Sequence, residues 1–105
     1  MLKIYDVSLS VLRKLAPIVG EIERHDSDLA RQLRRAASSV TLNLAEGSGS
    51  QGRNRNARYF NALGSAREAR ACLHVALAWR HIEKIDAGLL DEIERIIATL
   101  IRLVV

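Results

Sequence analysis

Apolar residues recur at three- and four-residue steps through four segments of the chain, and turn-forming residues separate them. The first segment runs from a cap at Asp6 to about Arg24. Val11, Leu15, Ile18 and Ile22 form its stripe, and Leu12 and Val19 widen it. Pro17 lies inside this segment. A proline there removes a backbone hydrogen bond and clashes with the preceding turn, at about 3 kcal/mol, which predicts a kink or a local break. His25-Asp26-Ser27-Asp28 then forms a short turn and supplies the cap of a second helix, from about Asp28 to Glu46. Leu29, Leu33, Ala36, Val40 and Leu44 share one face of that helix, with Asn43 at its edge. Arg31, Arg34, Arg35 and Ser38 point the other way. So does Leu42, beside Ala45, which is out of place on the outside of a monomer.

Gly47-Ser-Gly-Ser-Gln-Gly52 ends the second helix, with Gly47 as the expected C-cap. A third helix should start near Asn54 or Asn56 and reach about His81. Its core seam is Ala62, Ala66, Ala69, Leu73 and Ala76, flanked by Tyr59, Leu77 and Trp79. Ala57, Gly64, Ala71 and Ala78 form a second ladder, and small residues in register let another helix approach closely. Asp86 caps a fourth helix from about Gly88 to the C-terminus. Its apolar residues, from Leu89 through Ile101 to Val105, cover more than half its circumference, so it should be buried on more than one side. The pattern predicts an all-α, antiparallel, up-down-up-down four-helix bundle, one domain over residues 1–105. The surplus apolar positions Leu42, Ala45, Gly64, Ala71, Ala78, Ile101 and Val105 predict assembly into a homo-oligomer.

Composition agrees with helices: aromatic residues make up 4% of the chain and there is one proline. A single cysteine, Cys72, allows no internal disulfide. No apolar run is long enough to span a membrane and no signal-peptide core opens the chain, so the cytosol is the expected compartment. The formal net charge is +4, and residues 27–58 alone hold six arginines against Asp28 and Glu46, again +4. Residues 86–105 hold two arginines against four acids, a local −2. Such asymmetry bears on partners rather than on fold.

Two blocks carry a family resemblance: Leu33-Arg-Arg-Ala-Ala-Ser-Ser-Val40 with Asn43-Leu-Ala-Glu-Gly47, and Tyr59-Phe-Asn-Ala-Leu-Gly-Ser65 with Glu68. Together they resemble the bacterial four-helix bundle proteins first noted in intervening sequences of 23S ribosomal RNA genes. The resemblance covers roughly residues 5–103. It implies an up-down-up-down bundle that assembles into a ring, a homopentamer. It also marks Asn43, Glu46, Gly47 and Glu68 as signature residues with a structural role. A related protein, the accessory variability determinant of diversity-generating retroelements, is a basic pentamer that binds reverse transcriptase and nucleic acid. The chain departs from the family pattern at Ala66 and Ala69, where larger aliphatics are usual, and at Thr41, where proline is common.

The candidate chemistry is cationic. Arg53, Arg55 and Arg58 stand at the start of the third helix, where positive charge opposes the helix dipole, so an anion would relieve them. Arg31, Arg34 and Arg35 lie off the core face of the second helix. There they can meet either nucleic acid or a carboxylate such as Glu46 or Glu68. Arg67 and Arg70 share a stripe with His74 and form a further basic surface. With no aromatic residues expected on these faces, any RNA or DNA contact should follow charge and shape rather than base stacking. Asn43 should be a buried amide bonded to backbone or to Glu68.

Catalysis has no visible constellation. Gly47-x-Gly49-x-x-Gly52 follows a helix rather than a strand, so it is not a dinucleotide fingerprint. Ser38 and Ser39 have no adjacent base, and His74 and His81 are too far apart to share a metal directly. The sequence therefore predicts a non-enzymatic protein with no cofactor and no metal. Its expected partners are itself and RNA or another nucleic acid; the alternative is a protein–protein scaffold.

Overall fold

The computed structural model describes residues 2–104. Val105, one of the expected interface residues, lies outside them. Four helices account for most of the chain: α1 (Lys3–Glu23), α2 (Ser27–Ser48), α3 (Gly52–Ala78) and α4 (Ala87–Leu103). α2 packs against α1 and α3, and α4 packs against α3 and α1, so the helices surround one core. Ile22, Leu33, Leu44, Leu73, Leu89 and Leu100 lie at its centre, fully buried. The alanine seam of α3 is buried as its spacing predicts, and small side chains there let α3 lie close to its neighbours.

The helix starts follow their capping residues. The Asp26 carboxylate accepts a hydrogen bond from the Leu29 amide at 3.0 Å, and Asp86 does the same for Leu89. Asp6 does not cap α1. That helix begins at Lys3, because Ile4 is buried in the core and draws the first turn inward. α3 also starts early, at Gly52, whose φ of 58° is a conformation glycine adopts without steric cost.

Two helix ends differ from expectation. α3 stops at Ala78 rather than near His81: the Arg80 amide donates to the Leu77 carbonyl and the His81 amide to the Ala76 carbonyl. That pair of bonds is a Schellman closure with Arg80, at φ 62°, in the place glycine usually takes. The His81 ring then stacks on His25, with centroids 5.2 Å apart, and ties this connection to the turn between α1 and α2. Gly47 is not a cap. α2 runs on to Ser48, and Gly47 sits buried inside it against the ring of Tyr59.

α1 passes through Pro17 without a break. Pro17 is exposed, so water can serve the carbonyl left without its amide partner. The covalent cost of proline in a helix interior nevertheless remains. Replacing Pro17 with alanine should raise stability by about 1–3 kcal/mol in urea unfolding, and no gain would mean that the helix is interrupted in solution.

Among the described residues, every buried polar side-chain atom has a hydrogen-bond partner. Thr41 donates its hydroxyl to Ser8 Oγ at 2.9 Å, and Ser8 donates to the Tyr5 carbonyl at 2.6 Å. Lys14 pairs with Glu92 at 2.9 Å and Ser10 donates to the same carboxylate at 3.1 Å, joining α1 to α4. Burial pushes the Glu92 carboxyl up, but the bonds from Lys14 and Ser10 outweigh it and hold the group below the ordinary glutamate range.

Candidate nucleic-acid interface

The arginines of α2 and the start of α3 divide into paired and unpaired groups. Arg58 reaches back to Glu46 at 3.0 Å, and Arg31 meets Asp28 one turn earlier at 3.6 Å. Arg55 donates through Nε to the Ser50 carbonyl at 2.9 Å, which closes the α2–α3 connection. Arg70 pairs with Glu94 of α4. All of these pairs are substantially exposed, and exposed pairs contribute about 0–1 kcal/mol, so a stronger anion can displace them. Among the described residues, Arg34, Arg35, Arg53 and Arg67 are exposed and have no ion pair, and the same holds of Arg55 and, outside α2 and α3, of Arg13, Arg24, Arg80, Arg95 and Arg102.

A polar groove runs between α2 and α3. Asp28, Arg31, Gln32, Arg35, Ser39 and Glu68 line a hollow of about 560 Å³. Gln32 donates to Glu68 at 3.3 Å and Ser65 donates to Ser39 Oγ at 2.9 Å across it. Asn43, expected as a buried amide bonded to backbone or to Glu68, is only half-buried at the edge of the core face, and it donates to the Ser39 carbonyl at 2.9 Å and to Ser39 Oγ at 3.0 Å. Three of the four signature residues join α2 to α3, Glu46 through Arg58, Gly47 through Tyr59 and Glu68 through Gln32, while Asn43 bonds within α2. Nothing in this arrangement resembles a nucleophile and its base. Burial, with Glu68 adding to it, raises the Cys72 thiol above its ordinary range, which suits a packing residue.

Apolar side chains are exposed on the outer faces of the same two helices. Leu42 is 62% exposed and Phe60 is 60% exposed. Ala57, Gly64, Ala71 and Ala78 are all exposed, and a Cβ on Gly64 would meet nothing within 4 Å, so the small-residue ladder is unused within the chain. Ala45 is half-buried, while Ile101 on α4 is exposed. Trp79, expected beside the core seam, is 70% exposed because the seam ends with Ala76 and Leu77.

Two features escaped the sequence. Phe60 borders a hollow shared with Arg53 and Asn61, so an aromatic ring does stand on a basic face. In the sequence it was only one letter of a motif. Lys3 of α1 and Arg95 and Arg102 of α4 line another hollow with Thr99. Arg95 and Arg102 are seven residues apart on one helix face, which was the available signal.

Comparison with known proteins places this arrangement. The family model for the 23S rRNA-intervening sequence protein matches residues 1–102, nearly the whole chain. The chain belongs to that family. A solved structure from Bacteroides thetaiotaomicron VPI-5482, a protein of unknown function from the S23 ribosomal protein family, has the same fold. It aligns with a TM-score of 0.85 at 18% identity, covering 96% of this chain and 97% of the other. At that identity the likeness carries the fold alone. No curated protein matches the chain in sequence. Among the described residues of this family member, no helix is long and apolar enough to cross a membrane, and no group of three or more His, Cys, Asp or Glu residues could hold a metal ion.

Proposed function

We propose that this member of the 23S rRNA-intervening sequence protein family is a non-enzymatic cytoplasmic protein that self-associates and binds the phosphate backbone of RNA. The observation that carries the reading is that, among the described residues, Arg34, Arg35, Arg53 and Arg67 on α2 and α3 are exposed and have no carboxylate partner, in a chain of net charge +4. Cations left unpaired near paired ones are available to phosphates, and counterion release then drives association.

An antiparallel course of the helices is supported by the register of their contacts. Glu46 meets Arg58, Ser39 meets Ser65, and Gln32 meets Glu68. Likewise residues 2–4 lie beside residues 95–102, and Ser10 reaches Glu92. Self-association, into a ring such as a pentamer, is supported by Leu42, Phe60 and the exposed small-residue ladder on the outer faces of α2 and α3. Repetition of the arginines once per subunit would multiply a weak phosphate affinity. Those exposed apolar residues equally favour a second reading, a protein-binding scaffold without nucleic acid.

A protein carrying Arg35→Glu, Arg53→Glu and Arg67→Glu separates the two. Affinity for a labelled structured RNA at low salt should fall by on the order of 10²-fold while the assembly mass stays the same. Unchanged affinity would remove these arginines from the interface.

A further inference from the structure

The hollow between the first turn of α1 and the last turns of α4 is lined by Leu2, Lys3, Ile4, Arg95, Thr99 and Arg102 and encloses about 350 Å³. We propose that this cleft binds a phosphate group, held by Lys3, Arg95 and Arg102 and by the Thr99 hydroxyl. The proposal rests on the RNA-binding reading only where the phosphate is that of a nucleic acid.

Three cations converge there, and among the described residues none of them has a carboxylate partner. Arg102 in the last turn of α4 faces a favourable helix dipole, which accounts for one charge of the three. Lys3 has no such support. It stands in the first turn of α1, the end of a helix where a cation is disfavoured. Arg95 and Arg102 are two turns apart on one side of α4, with Thr99 between them, so the guanidinium groups bracket a hydroxyl. Guanidinium forks and an ammonium match the oxygens of a tetrahedral dianion, and a threonine hydroxyl can donate to a fourth position. Leu2 and Ile4 supply the apolar part of the lining.

The position of the cleft extends the basic surface. The start of α1 lies beside the end of α4, and the end of α2 meets the start of α3 through Glu46 and Arg58. Ser8 touches Thr41, which brings these pairs toward the same end of the molecule. Lys3, Arg95 and Arg102 thus join Arg53, Arg55 and Arg58 toward one end, against Asp6 and Glu46 there and Glu92 and Glu94 at the level of Arg95. The other end holds Glu21, Glu23, Asp26, Asp28, Glu83 and Asp86 against Arg24, Arg31, Arg80 and Lys84, a local −2. A long molecule, 42 Å in its greatest extent, is therefore basic at one pole.

The test has two arms. In the first, the isotopically labelled full chain is titrated with inorganic pyrophosphate at constant ionic strength and followed by amide NMR. Saturable shifts at Ala98 and Thr99 are expected, and they should vanish in a Lys3→Gln/Arg95→Gln/Arg102→Gln variant. No saturable shift in the wild-type chain overturns the cleft, whatever RNA does. In the second arm, the same variant is titrated against structured RNA at several salt concentrations. If the bound phosphate belongs to RNA, affinity at low salt falls about tenfold and the salt slope falls by about 1 for each cleft engaged. If pyrophosphate binds but RNA affinity is unmoved, the cleft serves a free phosphate compound instead. If wild-type RNA binding is absent altogether, the RNA reading fails while the pyrophosphate arm still decides the cleft.

Discussion

Replacing Gly47 with alanine should destabilise the protein by about 2 kcal/mol, although alanine is the better helix former. In a helix interior the exchange alone gains roughly 1 kcal/mol. Here the new Cβ would meet the Tyr59 ring, 2.7 Å from Cδ1 and 3.2 Å from Cζ. Tyr59 is buried between α2 and α3, so its ring cannot swing into solvent. Overpacking of this kind costs about 1–3 kcal/mol when neighbours must shift, and a contact this close belongs at or above the upper end. The net sign is therefore unfavourable, opposite to the propensity prediction. Urea unfolding of Gly47→Ala, Tyr59→Leu and the double variant checks it, since the smaller side chain should relieve most of the loss. A stabilised Gly47→Ala protein would show that the close approach of α2 and α3 is absent in solution.

On the proposed self-association, Leu42→Glu should convert the assembly into monomers. Leu42 lies opposite the core face of α2, so the change leaves intramolecular packing alone and stability within about 0.5 kcal/mol of the parent. At an interface the same change buries a carboxylate without a partner, at several kcal/mol per subunit contact. Light scattering on a sizing column should give a multiple of 11.7 kDa for the parent and a mass near 11.7 kDa for the variant. A monomeric parent at micromolar concentration would end the self-association proposal, and Leu42 and Phe60 would then need another partner.

The sequence disclosed the helices because apolar spacing is a local property. Leu29 through Leu44 and Ala62 through Ala76 are buried as their periodicity requires. Ends were harder to place. Ile4 extends α1 by its burial, Gly52 starts α3 by its positive φ, and Arg80 occupies a left-handed position no propensity favours. Gly47 invites a capping role by residue type, yet its actual role depends on a ring twelve residues away. Charge summed along the chain hid the α1–α4 cleft. In residues 86–105 the acids Asp86, Asp91, Glu92 and Glu94 precede Arg95 and Arg102, so the segment sum is −2 while its last turns are basic. Only Lys3, brought in from the opposite terminus, completes the cluster. Conversely, Arg58 and Arg70 counted as free cations in the sequence but have carboxylate partners in the fold.

Phosphate binding by the basic surface is tested most directly by fluorescence anisotropy. A labelled structured RNA would be titrated with the nuclease-treated wild-type protein at about 50 mM and 200 mM salt. Affinity that falls by about 10³-fold or more between the two is the predicted result, because six or more phosphate contacts per assembly give that salt dependence. No binding even at the lower salt would contradict RNA recognition and leave the scaffold reading in its place.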